Sequence, residues 1–290
     1  MSGHIFKQIT EPIKADIAVQ IQSEIINKIT AEYPDVICMR LGSVGHKTTP
    51  SGDIDVGVKA ATVDDLYNII LKVFGYTNTV KYESLYIVSI AYPYKDRDNN
   101  EKYVQCDFIQ VVDEEYTRFR YYCPDYTKNE SQYKVGHRIM FLNMILNHCY
   151  KEKYEGVPDT EYVKFDFSPI GLYRDISERS NILNYLRSDF LTTDVNRIMS
   201  MMAYEPHREQ FNTVESLWDF IHSDNFKYRD KETPRMEISF FTNCFLKGWT
   251  HVNPEDFKLQ YVTLDDIYCA MDKFKTSAFI NRYLQHGREI

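Results

Sequence analysis

Asp53 and Asp55 are the first residues in this chain whose types and spacing suggest chemistry. They lie in Ser51-Gly52-Asp53-Ile54-Asp55-Val56-Gly57-Val58, a segment rich in β-branched residues. Side chains alternate faces along a strand, so both carboxylates point one way and Ile54, Val56 and Val58 the other, toward a core. Two carboxylates at one spot repel each other, and a cation between them relieves the repulsion. Hard carboxylate oxygens suit Mg²⁺. A third carboxylate, Asp107, falls mid-strand in Tyr103-Val-Gln-Cys-Asp107-Phe-Ile-Gln-Val111. There Val104, Cys106 and Phe108 share one face, and Gln105, Asp107 and Ile109 the other. Upstream, Leu41-Gly42-Ser43-Val44-Gly45 reads as a turn after a strand. Gly42 lets the backbone approach a ligand closely, and Ser43 adds a hydroxyl. In most chains a lone Gly-Ser is only a turn and a lone Asp-x-Asp only a solvated strand face. The three parts in chain order, each on a strand, carry more.

The surrounding elements follow from periodicity. Isoleucines at 13, 17, 21, 25 and 29 predict an amphipathic helix over 12–30, with Pro12 in its first turn. Val36–Leu41 and Asp53–Lys59 read as strands, joined by a polar loop over 46–52. Thr62 with Asp65 forms a capping pair and Gly75 a stop, predicting a helix over 62–74. Val80–Tyr94 reads as strand, 95–102 as a hairpin turn, and Tyr103–Val112 as strand. Asp113-Glu114-Glu115 reads as a solvated strand end. A long helix is expected over 129–153, with Asn129 and Gln132 as its cap. One or two strands are expected within 161–176. Helical patterns follow at 181–187, 194–203, 213–222, 235–247 and 264–284, with Trp218 and Trp249 in apolar helical context. The expected fold class is α+β: a mixed β-sheet flanked by helices (1–156), then a mainly helical half (157–290).

Composition narrows the class. Of 290 residues, 43% are hydrophobic, 26% charged and 14% aromatic, a globular balance. A net charge of −8 argues against coating nucleic acid by bulk electrostatics but leaves room for a local basic groove. The 23 tyrosines suit half-wet clefts. Six cysteines are scattered without a Cys-x-x-Cys pair, and His137, His148 and Cys149 make no metal pattern. A reducing cytoplasm is the expected setting. Residues 1–10 lack the apolar run of a signal peptide, and no stretch has the length of a membrane span.

Together, the Gly42-Ser43 turn, nine intervening residues (44–52), Asp53-x-Asp55 and the later Asp107 resemble the DNA polymerase β-like nucleotidyltransferase superfamily. The local wording is closest to its CCA-adding, poly(A) polymerase and cyclic-oligonucleotide synthase branches. The resemblance covers about residues 12–112. It implies a nucleotidyltransferase-type sheet and Mg²⁺-dependent transfer of NMP from an NTP, such as ATP, to an acceptor hydroxyl. It implies that Asp53 and Asp55 hold two Mg²⁺ ions, with Mn²⁺ as a substitute, and that Asp107 holds the catalytic ion and helps deprotonate the acceptor. Gly42 and Ser43 would bind the triphosphate. Lys134 and Arg138, one turn apart on the long helix, would face it by position alone, as would the loop's His46 and Lys47. Tyr121, Tyr122 and Tyr133 are candidates for stacking on a base. No Walker lysine is present, which excludes a P-loop kinase. The favoured acceptor is a tRNA-like RNA 3′ end. The alternatives are a second nucleotide, giving cyclic or linear products, or a protein side chain. A further alternative is a nucleotide-binding protein without turnover. The helical half would serve as the acceptor-binding domain.

Overall fold

The computed structural model describes residues 5–6, 9–75, 79–82, 86–96, 98–123, 135–149, 156–178, 180 and 185–227. The expected helices at 235–247 and 264–284, the Asn129/Gln132 cap, Lys134, Tyr133 and Trp249 lie outside these residues. The chain divides into two compact units. One comprises Met1–Glu130, Lys134–Gly136 and Ser168–Ile170; the other comprises Ser131–Tyr133, His137–Phe167 and Gly171–Ile290. The long helix α4 (Val135–Cys149) belongs mostly to the second unit, where its Arg138 Nη1 donates to the Phe211 carbonyl at 3.0 Å.

In the first unit, α1 (Ala15–Glu32) buries Ala18, Ile21, Ile25 and Ile29, the stripe that the isoleucine spacing predicts. Strand β1 (Cys38–Arg40) is shorter than expected, and β2 (Asp53–Lys59) has the expected bounds. Helix α2 (Val63–Phe74) carries the expected reciprocal cap. Asp65 N–H donates to Thr62 Oγ1 at 3.1 Å, and Thr62 N–H donates to Asp65 Oδ2 at 3.0 Å. The expected single strand over 80–94 is instead a pair, β3 (Thr79–Tyr82) and β4 (Ile87–Lys95), paired antiparallel. Tyr86, at φ 54°, stands just before β4 in a conformation that a continuous strand cannot hold. The next turn is organised by the Asp96 carboxylate, which accepts from the Asp98 and Asn100 N–H groups at 2.9 Å each. It leads into β5 (Glu101–Val111).

Asp113 is not part of a strand end. It caps α3 (Glu114–Arg120), accepting from Tyr116 N–H at 2.8 Å. The two glutamates then complement the helix N-terminus, and Tyr116 and Phe119 are buried.

The sheet order is β1-β2-β5-β4-β3. Only β2 and β5 are parallel, so the sheet is mixed. One face is covered by α1 and α2, whose apolar residues meet Ile54, Val56, Val58, Val88, Ile90, Val104, Cys106 and Phe108 in a single core. With one face closed by apolar packing, Asp53, Asp55, Ser89, Gln105 and Asp107 of β2, β4 and β5 emerge on the other.

The described part of the second unit is mixed rather than mainly helical. Strands β6 (Glu161–Ser168), β7 (Gly171–Glu178) and β8 (Tyr185–Thr192) form a three-stranded sheet in that order. Val163, Phe165 and Phe167 are buried at alternate positions of β6, a strand period. Residues 185–187, expected helical, lie in β8, which Arg174 of β7 ties by an ion pair to Asp189 at 3.1 Å. The expected helices at 194–203 and 213–222 correspond to α5 (Val195–Ser200) and α6 (Val214–His222). Among the described residues no helix is long and apolar enough to cross a membrane.

Candidate metal centre

Strand register assembles the site. On the parallel pair β2/β5, Asp55 lies opposite Asp107 and Asp53 opposite Gln105. On the antiparallel pair β4/β5, Ser89 lies opposite Asp107. Residues opposite one another on a sheet share a face. Two adjacent rungs therefore hold Asp53 and Gln105, then Asp55, Asp107 and Ser89. One carboxylate oxygen from each of Asp53, Asp55 and Asp107 lies within 4.8 Å of the other two. Asp107 is 2% exposed, and Asp53 and Asp55 are half-buried.

Asp107 is held by neutral donors. Ser89 Oγ donates to its Oδ1 at 2.6 Å, and Gln105 Nε2 lies 2.9 Å from Oδ1 and 3.1 Å from Oδ2. Gln22, buried in α1, fixes the floor: its Nε2 donates to the Asp55 carbonyl at 2.8 Å and lies 3.4 Å from the Leu41 carbonyl. It thereby ties helix, strand and glycine turn together.

The turn itself lies against the acids. Gly42 sits at φ 72°, and a Cβ placed on it would fall 2.1 Å from Asp55 Oδ2. No side chain fits between this backbone and that carboxylate. Ser43 is half-buried in the same turn, and its carbonyl accepts from His46 N–H at 3.1 Å. Lys47 Nζ donates to the Pro50 carbonyl at 3.0 Å, folding the loop back on itself.

The electrostatics are those of a cluster with too much negative charge. Burial, then the charges of Asp53 and Asp107, push the Asp55 carboxyl well up, and Lys47 partly opposes this. Burial also raises Asp107, to about 6, with Asp53 adding to the rise and the Ser89 and Gln105 hydrogen bonds opposing it. The ordinary value for an unfolded Asp is about 3.9. Between these values the folded protein holds a proton that the unfolded chain has released. Stability of the metal-free protein is therefore expected to fall as pH rises from about 4 to about 6. Urea unfolding at fixed ionic strength checks this; stability rising across that window would contradict it.

Of the residues expected to form the site, the structure brings together Gly42, Asp53, Asp55 and Asp107. Arg138 is 2% exposed, and its Nη1 donates to the Phe211 carbonyl at 3.0 Å. Tyr121 packs at the edge of the small cluster of Met39, Leu41, Ile109 and Val111. Three polar residues are additions: Gln22, Ser89 and Gln105. Only Gln105 was marked by strand alternation as sharing Asp107's face.

No protein-family model and no curated protein matches this chain. Residue pattern and geometry alone define the site.

Proposed function

We propose that this protein is a nucleotidyltransferase of the polymerase β-like type, moving NMP from an NTP to an acceptor hydroxyl, with a tRNA-like RNA 3′ end as the favoured acceptor. The observation that carries this is the convergence of Asp53, Asp55 and Asp107 within 4.8 Å, beside a glycine turn packed on Asp55.

The residues fit a divalent cation. Three hard oxygen donors meet, burial and then their mutual repulsion raise two of them, and no basic side chain is hydrogen-bonded to them among the described residues. Asp53 and Asp55 would hold both ions and Asp107 the catalytic one. Bound Mg²⁺ supplies charge neutralisation at the triphosphate and at the attacking and leaving oxygens. The chain supplies the rest. The Gly42 backbone leaves room for the triphosphate, and the Ser43 hydroxyl donates to a β- or γ-phosphate oxygen. Lys47 adds positive potential at the loop. Asp107 accepts the proton of the acceptor hydroxyl as that oxygen bonds to the α-phosphorus and pyrophosphate departs.

Incubation with each α-labelled NTP, Mg²⁺ and total cellular RNA, protein or nucleotide pools tests the reading. Label is expected in an acceptor fraction, with stoichiometric pyrophosphate. Label in the RNA fraction supports the favoured acceptor. Label in protein or in a small oligonucleotide moves the acceptor to that class. NTP binding without pyrophosphate release from any pool refutes transfer and leaves a nucleotide-binding protein.

A further inference from the structure

We propose that Gln105 is a positioning residue for the third carboxylate, and that the N-terminal segment sets it through the backbone N–H of Ile5. The proposal rests on the metal-centre reading above and adds a part that the acidic pattern does not contain.

Gln105 is fully buried, and both ends of its amide are engaged. Its Nε2 spans the two oxygens of Asp107, at 2.9 and 3.1 Å, while its Oε1 accepts from Ile5 N–H at 3.1 Å. A buried amide left unsatisfied at either end is destabilising. Here the Ile5 bond also decides which end faces the acid. A flipped amide would set Oε1 against the Asp107 carboxylate and its NH₂ against the Ile5 N–H, two repulsive contacts in place of two attractive ones. The Ile5 N–H thus locks the donor toward Asp107.

The bonds on Asp107 are unequal. Oδ1 receives Ser89 Oγ at 2.6 Å and the nearer Gln105 contact, whereas among the described residues Oδ2 receives only the longer Gln105 contact. Oδ2 therefore keeps the greater capacity to accept, and Gln105 and Ser89 together fix the rotamer that offers it. Neutral donors suit this place. Gln105 is the cross-strand neighbour of Asp53, so a glutamate there would be a fourth carboxylate in the cluster.

The N-terminal segment is anchored to the same strand. Ile9 and Thr10 N–H groups donate to the Phe6 carbonyl at 2.8 and 2.9 Å, and Glu11 N–H donates to the Tyr103 carbonyl at 3.1 Å. Glu11 also pairs with Lys102 at 3.0 Å. The segment therefore bonds to β5 at Lys102, Tyr103 and Gln105, and Tyr103 and Gln105 are the two positions that precede Asp107 on its face of the strand.

The test is Mn²⁺ titration of the full-length, nucleotide-free protein, read by electron paramagnetic resonance of the free ion. Gln105→Met keeps length and removes the amide; it is expected to weaken Mn²⁺ about tenfold or more, as loss of a hydrogen bond to a ligating carboxylate does. In turnover it should lower kcat with little change in KM for the NTP, a split that general loosening of the fold would not give. Ile5→Pro removes the N–H, at a 39% exposed position where the change of side chain touches little of the core, and is expected to weaken Mn²⁺ about threefold, the scale of one neutral hydrogen bond. If Gln105→Met does not fold by circular dichroism, Ile5→Pro carries the test. Mn²⁺ affinity unchanged in both variants overturns the proposal while the metal centre stands. Loss in Gln105→Met without loss in Ile5→Pro overturns the role of the N-terminal segment. A wild-type protein that binds no Mn²⁺ refutes the metal centre and this proposal with it.

Discussion

Asp55→Asn is expected to abolish nucleotidyl transfer and, at the same time, to raise the melting temperature of the metal-free protein. The two effects have one cause. Asp55 sits between Asp53 and Asp107, and burial together with those two charges pushes its carboxyl well up. The folded metal-free protein therefore tolerates the Asp55 anion poorly, and an amide of the same shape removes both the desolvation of a charge and the repulsion. The Gln22 bond that fixes this part of the site goes to the Asp55 backbone carbonyl, so the substitution leaves it in place. Function should move the opposite way, because an amide is a weaker ligand for Mg²⁺ and carries no charge to neutralise it. A fall in kcat of about 10³-fold or more is expected, roughly 4 kcal/mol of transition-state stabilisation. Wild-type melting temperature should climb with Mg²⁺, since the ion binds the folded state only; the variant's should hardly respond. Asp53→Ala and Asp107→Ala should also lose transfer while leaving the fold nearly intact. Their effects should not add to that of Asp55→Asn, because residues acting as a unit are non-additive. Turnover unchanged in all three refutes the site. A metal-free Asp55→Asn protein that melts below wild type refutes the electrostatic account.

The parts of the site written along one strand were legible, and the parts written across strands were not. In β2 Ile54, Val56 and Val58, and in mid-β5 Val104, Cys106 and Phe108, are apolar and buried at alternate positions while the positions between them carry Asp53, Asp55 and Asp107, so alternation alone placed the acids on one face. Ser89 matters because register sets it opposite Asp107, and register is a property of the paired strands rather than of either one. Gln22 was visible as a polar residue four positions from Ala18 on the buried stripe of α1, but its two carbonyl partners come from elements about 20 and 30 residues away. Asp113-Glu114-Glu115 admits two readings, a charged strand end or a capped helix start, and the burial of Tyr116 and Phe119 selects the second. Arg138 shows the limit for cations. A helical position next to a motif does not say that an arginine turns inward, because arginines are seldom fully buried, and here a backbone carbonyl receives it. In the second unit, β8 is largely exposed on both faces, so it lacks the buried alternation that marks β6.

Gly42→Ala should cost both stability and transfer, and Gly45→Ala should cost stability alone. Both glycines have positive φ, 72° and 87°, so alanine at either meets a backbone penalty of about 1–2 kcal/mol. Their surroundings differ. At Gly45 the nearest atom to an added Cβ is Val19 Cγ2 at 3.9 Å, an ordinary contact. At Gly42 the added Cβ falls 2.1 Å from Asp55 Oδ2 and 3.0 Å from its Cγ, well inside contact distance. Either the turn lifts away or the carboxylate swings out. Each response separates the turn from the acids, and a misplacement of about 1 Å at a reacting centre is worth roughly 10²-fold. Gly42→Ala is therefore expected to lose about 2–4 kcal/mol in urea unfolding, the backbone term plus overpacking, and about 10²-fold or more in transfer. Gly45→Ala should lose only the backbone term and keep transfer within a few-fold of wild type. The comparison separates a turn that merely needs glycine from a turn that must touch a carboxylate. Equal losses of activity in the two variants would mean that the Gly42–Asp55 contact is structural only, and that the triphosphate is gripped elsewhere.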